Sequence, residues 1–109
     1  MIHILNRHPD RSAIILHLDQ NILKHIPKHE YEKYIKHNKF KYLVSNDMSV
    51  GEFMCLIRNR MYLQPEHSIF MFVENLLPSI TMRISELYSL YHDHDGLLHL
   101  YVKMENTFG

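Results

Sequence analysis

The chain has 109 residues, with 12 Lys and Arg balanced by 12 Asp and Glu, so its formal net charge is zero when the histidines are neutral. Nucleic-acid binding normally needs a strongly basic face, and this balance argues against it. The length suits one small domain. A single cysteine excludes an internal disulfide framework, and no apolar run is long enough to span a bilayer.

The first 18 residues predict one short helical end and one strand. Residues 1–8 are expected to be the remnant of an N-terminal helix, because Pro9-Asp10 marks a turn directly after them. Residues 12–18 are rich in β-branched side chains and predict a buried strand.

Residues 19–38 carry several Lys and His and predict an extended loop or insert. Pro27 interrupts any single helix here, although residues 29–37 could form a short amphipathic helix. Three interpretations stay open: a solvated loop, a segment that lies on an anionic membrane surface, or a cover for the surface that a missing N-terminal helix would leave open.

The next segment predicts an edge strand followed by the main helix. Residues 39–45 alternate Lys with apolar side chains, and lysines of this kind protect an exposed sheet edge from unwanted pairing. Ser49 and Glu52 have the spacing of a capping box, which predicts that a helix begins at residue 50. The apolar spacing carries this helix to about residue 60, with Val50, Phe53, Leu56, Ile57 and Met61 on its buried face.

The last third predicts a strand at 68–73, a helix at about 81–91, a strand at 97–104 and a flexible tail at 105–109. The order strand, strand, helix, strand, short helix, strand indicates one α+β domain over residues 1–109. The predicted fold is a ubiquitin-like β-grasp, in which a four-stranded mixed sheet packs on one main helix and a short second helix.

Two groups of chemically reactive side chains are more simply explained by structure than by catalysis or metal binding. Cys55 lies within the predicted main helix, where a small apolar core residue is the usual explanation. His92, Asp93, His94 and Asp95 offer metal-ligand chemistry, but neighbouring residues in one turn rarely make a closed site. We therefore expect no metal, no cofactor and no enzymatic activity.

Read as motifs, the sequence resembles the autophagy ubiquitin-like modifier family, of the GABA-receptor-associated protein and microtubule-associated light chain three type. The resemblance covers almost the whole chain except 19–38. The stretches that carry it, in order, are Pro9-Asp10-Arg11, Lys41-Tyr42-Leu43-Val44, Ser49-Val50-Gly51-Glu52-Phe53, Leu56-Ile57-Arg58-Asn59-Arg60, Ile69-Phe70-Met71-Phe72-Val73, Leu87-Tyr88, Asp95-Gly96 and Glu105-Asn106-Thr107-Phe108-Gly109.

The sequence departs from the family pattern in three places. The family begins with two helices ahead of the Pro-Asp-Arg turn, and only a stub of the second is predicted here. The loop between the first two strands is longer. Ser45 stands where the family usually has proline. The shortened N-terminus affects part of the surface with which the family binds its partners.

The resemblance implies that the chain is a modifier whose C-terminal Gly109, presented by Thr107 and Phe108, is joined to phosphatidylethanolamine. The implied partners are activating and conjugating enzymes, a deconjugating cysteine protease, cargo receptors and adaptors, and a phosphatidylethanolamine membrane, with no nucleic acid. The implied location is the cytoplasm, and the autophagosome or another organelle membrane after lipidation.

The resemblance also implies that the surface binds short aromatic-x-x-aliphatic motifs through two pockets. The implied aromatic pocket consists of Ile4, Ala13, Ile15, Lys41, Leu43 and Leu97. The implied aliphatic pocket consists of Tyr42, Val44, Met48, Phe53, Leu56 and Ile57. The cations expected to attract acidic residues beside the motif are Arg11, Lys39, Lys41 and Arg60. Alternation along the strand explains why Tyr42 and Val44 serve one pocket while Lys41 and Leu43 serve the other.

Alternatives remain at this level. Several aliphatic-pocket residues also suit a purely structural role in the core. The chain could be a peptide-binding scaffold that is never conjugated, or a modifier that acts in organelle maintenance, or one that tags proteins rather than lipids.

Overall fold

The computed structural model of the chain describes residues 10–24, 39–64 and 66–105. Over these residues it contains four strands and three helices. The strands are β1 (Arg11–Leu18), β2 (Lys39–Ser45), β3 (Ser68–Phe72) and β4 (Leu98–Glu105), and the helices are α1 (Gln20–Leu23), α2 (Val50–Arg60) and α3 (Ile84–Tyr91).

The four strands form one mixed sheet in the order β2-β1-β4-β3. β1 pairs antiparallel with β2 and parallel with β4, and β3 pairs antiparallel with β4. The first and last described strands therefore lie side by side at the centre, and β2 is an edge strand of the described sheet. This topology and the two longer helices confirm the predicted β-grasp and its exposed lysine-bearing edge.

The core lies between one face of the sheet and the helices. Alternate residues of β1, namely Ile14, Leu16 and Leu18, are buried and belong to the same apolar cluster as Phe53 and Ile57 of α2. Strand alternation sends the other β1 side chains to the opposite face, which we call the outer face. The described helices thus cover the apolar side of the sheet.

A capping box fixes the start of α2. The Ser49 hydroxyl accepts a hydrogen bond from the Glu52 backbone N–H at 3.1 Å, and the Glu52 carboxylate accepts one from the Ser49 backbone N–H at 3.0 Å. Two N–H groups that the helix cannot satisfy internally are thereby paired. The predicted box is confirmed, and so is the helix that it begins.

The loop before α3 is fastened to the first turn of α2. The backbone N–H of Val50 donates to the Met82 carbonyl at 2.8 Å, and that of Gly51 donates to the Ile80 carbonyl at 2.9 Å. A Cβ atom at position 51 would lie 3.2 Å from the Ile80 carbonyl oxygen, which is a tight contact, so glycine permits this close approach. In return, Ile84 N–H donates to the Met48 carbonyl at 2.8 Å.

Several predicted boundaries are corrected. α3 begins at Ile84 rather than at residue 81, because Ser79 organises residues 79–82 as a turn through hydrogen bonds to Thr81 and Met82. β3 ends at Phe72, and the following residue forms only an isolated bridge.

The segments predicted as loop and tail also contain regular structure. Asp19 caps α1 by accepting from Ile22 N–H at 3.0 Å, so the predicted loop at 19–38 begins with a helical turn whose Ile22 is buried. Glu105 pairs with Ser68 and belongs to β4 rather than to the tail. The predicted helical remnant at 1–8, the helix at 29–37 and residues 106–109 lie outside the described residues.

Burial differs from prediction at a few helical positions. Leu56 is half-buried, although its spacing predicts a place on the buried face of α2. Cys55 is exposed, and its interpretation as a core residue is wrong. It is two positions from both Phe53 and Ile57, so it lies on the opposite side of α2 from these buried residues.

Candidate functional site

A groove of about 290 Å³ lies between the edge strand β2 and helix α2. We call it the β2–α2 groove. The residues that line it are Arg11, Tyr42, Leu43, Val44, Ser45, Met48, Phe53, Leu56 and Arg60. The list contains five of the six residues predicted for the aliphatic pocket, which come from a strand, a turn and a helix.

Strand alternation and helix capping place these side chains together. Tyr42 and Val44 lie on the helix-facing side of β2, where the Tyr42 ring meets the Phe53 ring edge to face, with centroids 5.9 Å apart at 85°. Such edge-to-face contacts are a favoured geometry for aromatic pairs. Because the capping box fixes where α2 begins, it also fixes the distance of Phe53 and Leu56 from β2.

The groove combines an apolar floor with cations at its rim. Phe53 is fully buried and Val44 is 6% exposed, so both form floor rather than rim. Arg11 and Arg60 are exposed and line the same groove. An apolar side chain that enters would leave its neighbours close to two guanidinium groups, which pair well with carboxylates.

The sixth residue of the predicted aliphatic pocket, Ile57, does not line the groove. It is fully buried in the core below it. Leu43, which was assigned to the aromatic pocket, does line the groove and is 39% exposed. Ser45 also lines the groove but was not predicted as a site residue. Its position directly after Val44, at the end of β2, is the signal in the sequence that could have indicated it.

Most residues of the predicted aromatic pocket are neighbours on the outer face. Ala13 pairs with Leu43 and Ile15 pairs with Lys41 across β1 and β2. Leu97 is half-buried and directly precedes β4. Ala13 itself is only 2% exposed, so it contributes volume rather than open surface. Ile4 lies outside the described residues.

Two other predicted features lie apart from the groove. Lys39 is at the opposite end of β2 and pairs in register with His17. Thr107, Phe108 and Gly109, predicted as the conjugated tail, lie outside the described residues.

The histidine-rich turn has a structural function. Asp93 accepts hydrogen bonds from Asp95 and Leu97 N–H through one carboxylate oxygen and contacts the His99 ring through the other. Within residues 10–24, 39–64 and 66–105, no group of three or more His, Cys, Asp or Glu side chains could hold a metal ion. In the same part of the chain, no helix has the length and apolar character needed to cross a bilayer.

Comparisons with known proteins agree with this geometry. The family model described as "Autophagy protein Atg8 ubiquitin like" matches residues 3–109. Autophagy-related protein 8h of Arabidopsis thaliana is 36% identical over 107 residues, which cover 98% of this chain and 82% of the relative. Autophagy-related protein 8 of Mycosarcoma maydis is 44% identical over 72 residues, which cover 66% of this chain and 61% of the relative.

A solved structure gives the same result in three dimensions. The crystal structure of Trypanosoma brucei ATG8 matches with a TM-score of 0.75 and 28% sequence identity. The match covers 99% of this chain and 84% of that one. The similarity therefore extends over the whole fold and not only over the groove.

Proposed function

Because the chain belongs to the Atg8 family of ubiquitin-like autophagy proteins, we propose that it is a modifier conjugated through Gly109 to phosphatidylethanolamine. Proteins of this family are ubiquitin-like modifiers rather than enzymes, which confirms the prediction that the chain is not an enzyme. The family match runs through Gly109, and that match carries the proposal.

The proposed chemistry uses the chain only as a carboxylate. A partner enzyme joins the Gly109 carboxylate to the AMP portion of ATP and releases pyrophosphate. A cysteine thiol of the partner displaces AMP and forms a thioester. The amine of phosphatidylethanolamine then displaces the thiol, leaves an amide and frees the enzyme. Glycine suits this step because it has no Cβ to obstruct a narrow enzyme channel.

Conjugation changes where the protein resides. Each buried CH₂ of an acyl chain contributes about 0.8 kcal/mol to membrane binding, and stable anchoring generally takes two chains or an equivalent second signal. Phosphatidylethanolamine supplies two chains. The protein therefore moves between the cytoplasm and the surface of an autophagosome or another organelle, and a deconjugating cysteine protease reverses the attachment.

The second part of the proposal is that the β2–α2 groove binds short aromatic-x-x-aliphatic motifs of cargo receptors and adaptors. β2 is an edge strand, so an extended peptide can add to it by backbone hydrogen bonds while its side chains enter pockets. The aliphatic side chain enters the β2–α2 groove, and acidic residues beside the motif pair with Arg11 and Arg60. The observation that supports this is that a strand at the edge of the described sheet borders an apolar, cation-rimmed groove.

Conjugation is tested by mass spectrometry of the protein from its native cells, beside a Gly109→Ala variant. We expect a phosphatidylethanolamine adduct on Gly109 that is absent from the variant. Unmodified protein in both samples, in cells whose conjugation machinery modifies another substrate, would refute conjugation and favour a scaffold that only binds peptides. An adduct on a protein lysine would instead indicate protein tagging.

Motif binding is tested by fluorescence anisotropy with a labelled aromatic-x-x-aliphatic peptide. Leu43→Asp places a carboxylate at the groove and on the edge strand, and we expect it to abolish binding. Leu90→Asp is the matched control, because Leu90 is 66% exposed on α3 and does not line the groove. Equal affinity of the Leu43→Asp variant and the unmodified chain would show that the site is elsewhere.

A further inference from the structure

A continuous chain of hydrogen-bonded side chains crosses the outer face of the sheet. Nε2 of His17 on β1 lies 2.9 Å from Nδ1 of His99 on β4. Nε2 of His99 lies 2.8 Å from a carboxylate oxygen of Asp93. The two histidines are 82 positions apart in sequence and meet because β1 and β4 pair in parallel.

Asp93 fixes the direction of the hydrogen bonds. Partial burial alone would raise the pKa of Asp93, but hydrogen bonds from Leu97, His99 and Asp95 together outweigh it and hold this pKa below its ordinary value. The carboxylate is therefore ionised and can only accept. It follows that His99 Nε2 carries a proton and donates to Asp93.

The remaining protons follow from this first step. In neutral His99, Nδ1 then has no proton and accepts, so His17 Nε2 must donate to it. The neutral state has one consistent arrangement, in which both bonds point from His17 through His99 to Asp93. The unprotonated Nδ1 of His17 is the one ring nitrogen of the pair that can take up a proton without disturbing either bond.

One added proton leaves the chain intact. It can reside on His17 Nδ1, or on His99 Nδ1 if His17 changes tautomer and accepts through Nε2. Two added protons are different, because every ring nitrogen then carries a hydrogen. His17 Nε2–H and His99 Nδ1–H would face each other across 2.9 Å with like charges, and the two rings must separate.

We propose that His17, His99 and Asp93 form a proton-operated link between β1 and β4, which is closed with no or one added proton and opens when the second proton binds. The opening is a property of the pair, because neither histidine alone contains two donors that oppose each other.

Among the described residues, charged and titratable groups lie around the pair on several elements. Burial lowers the pKa of His17, with smaller contributions from His99 and Lys39. The Tyr101 ring stacks on His17 with centroids 4.3 Å apart. The groups near the pair are Lys39 from β2, Tyr101 and Lys103 from β4, Tyr91 from α3, His92 and Asp93 from the turn, and Glu74 from the loop after β3. Near the pair, the cations disfavour the second proton, and Asp93 favours the first.

The link borders a second groove, and this gives its opening a consequence. This outer-face groove has a volume of about 530 Å³, and Asp93, His99, Tyr101 and Lys103 are among its lining residues. When the link opens, His17 is free to leave its stack on Tyr101, and His99 keeps only its bond to Asp93. Acidification thus makes this groove more cationic and frees one face of the Tyr101 ring that lines it, whereas none of the three linked residues lines the β2–α2 groove.

Nitrogen NMR of the imidazole rings tests the link on the full chain. With no proton added to the pair, we expect His99 and His17 each to carry the ring proton on Nε2, as the two hydrogen bonds require. On acidification, we expect the second proton to bind at least about tenfold more weakly than the first, which is one pK unit. Both rings titrating in a single step at a common midpoint, or His99 carrying its proton on Nδ1 when no proton has been added, would overturn the proposal.

His17→Gln separates the link from other histidine effects. The Gln amide can donate to neutral His99 or accept from protonated His99, so the link should stay closed at every pH. In the unmodified chain, opening of the link should lower the protection factors of the β4 amides at low pH relative to neutral pH. In this variant we expect His99 to titrate in one step and the β4 protection factors to stay the same at both pH values. His94→Gln is the matched control, because the His94 side chain is 91% exposed and outside the chain of bonds.

If His17→Gln does not fold, His99→Gln gives an equivalent test, since His17 should then titrate in one step without a coupled partner. Retention of two separated steps in whichever variant folds would contradict the link. Identical low-pH exchange of the β4 amides in the unmodified chain and in that variant would contradict the opening.

Discussion

Leu56 and Ile57 are adjacent on α2, and we predict that they separate peptide binding from folding. Leu56 is half-buried and lines the β2–α2 groove, whereas Ile57 is fully buried in the core and does not line it. Ile57→Ala leaves a cavity and should cost about 2–5 kcal/mol of unfolding free energy. That is a large share of the roughly 5–15 kcal/mol that stabilises a small domain.

Leu56→Ala should act mainly on binding. It removes three carbon atoms from the groove, and at about 0.8 kcal/mol per buried carbon the loss cannot exceed roughly 2.4 kcal/mol. Since 1.4 kcal/mol is about a tenfold change in affinity, we expect peptide binding to weaken roughly ten- to fiftyfold. The unfolding free energy should fall by about 1 kcal/mol, less than for Ile57→Ala, because part of the Leu56 side chain is already in contact with water.

Urea unfolding with linear extrapolation measures the first quantity, and fluorescence anisotropy at a temperature where both variants are folded measures the second. Ile57→Ala should lower the unfolding free energy more than Leu56→Ala, and Leu56→Ala should weaken peptide binding more than Ile57→Ala. If folded Ile57→Ala protein loses as much affinity as Leu56→Ala, the groove lining is wrongly assigned. If Leu56→Ala destabilises as much as Ile57→Ala, the residue is core, and the structural interpretation of the aliphatic pocket is correct.

Three further predictions concern the capping box of α2 and the turn at Glu74 and Asn75. Ser49→Ala removes the side-chain half of the capping box and should lower the unfolding free energy by about 1 kcal/mol in urea. Hydrogen bonds from the Ser49 backbone and then its side chain lower the pKa of Glu52 below its ordinary 4.5. The stability from Glu52 is therefore present above pH 4.5 and lost as pH falls through the lower folded value, and Glu52→Gln should flatten this part of an acid titration. Glu74 and Asn75 have φ of 46° and 69° in a two-residue turn, so Glu74→Asn should raise the unfolding free energy by about 1 kcal/mol.

The controls for these three predictions are equally specific. Ser49→Thr should retain most of the stability that alanine loses, because threonine also caps helices. For the acid titration, Glu66→Gln should leave the curve unchanged, and an equal effect of both substitutions would contradict the assignment to Glu52. In the turn, Asn75→Ala should destabilise while Glu74→Asn stabilises, and a change of the same sign in both would contradict the argument from backbone conformation.

Local patterns in the sequence predict the elements whose signals are local. The strand at 39–45 is found with the predicted bounds, because alternating lysines and the following Asn46-Asp47 turn both lie within a few residues of it. The capping pair Ser49 and Glu52 likewise predicts the start of α2 to the residue. These features lie within one strand or one helical turn, so their energetics are decided by neighbours in sequence.

Features that depend on distant residues could not be predicted in the same way. α3 begins late because Ser79 holds the residues before it in a turn, and Ile84 N–H bonds to the distant Met48 carbonyl. The link between His17 and His99 depends on the parallel register of β1 and β4, and no pattern within either strand indicates it. The family resemblance located the groove, whereas the exclusion of Ile57 from its lining required the orientation of α2.

The topology explains how one small sheet can present two separate grooves. β1 pairs through its backbone with both β2 and β4, so neither edge of β1 can accept a peptide. Its pairing with β4 brings His17 beside His99 on the outer face, where the two side chains form the histidine link. β2 is paired only with β1 within the described sheet, so its other edge can accept a peptide. Lys39 and Lys41 on this edge disfavour pairing with another copy of the same strand, because like charges would be brought together, yet they attract an acidic peptide. These lysines therefore deter self-association at the edge, while Arg11 and Arg60 in the adjoining groove supply the charges that we propose to pair with the acidic residues of the peptide.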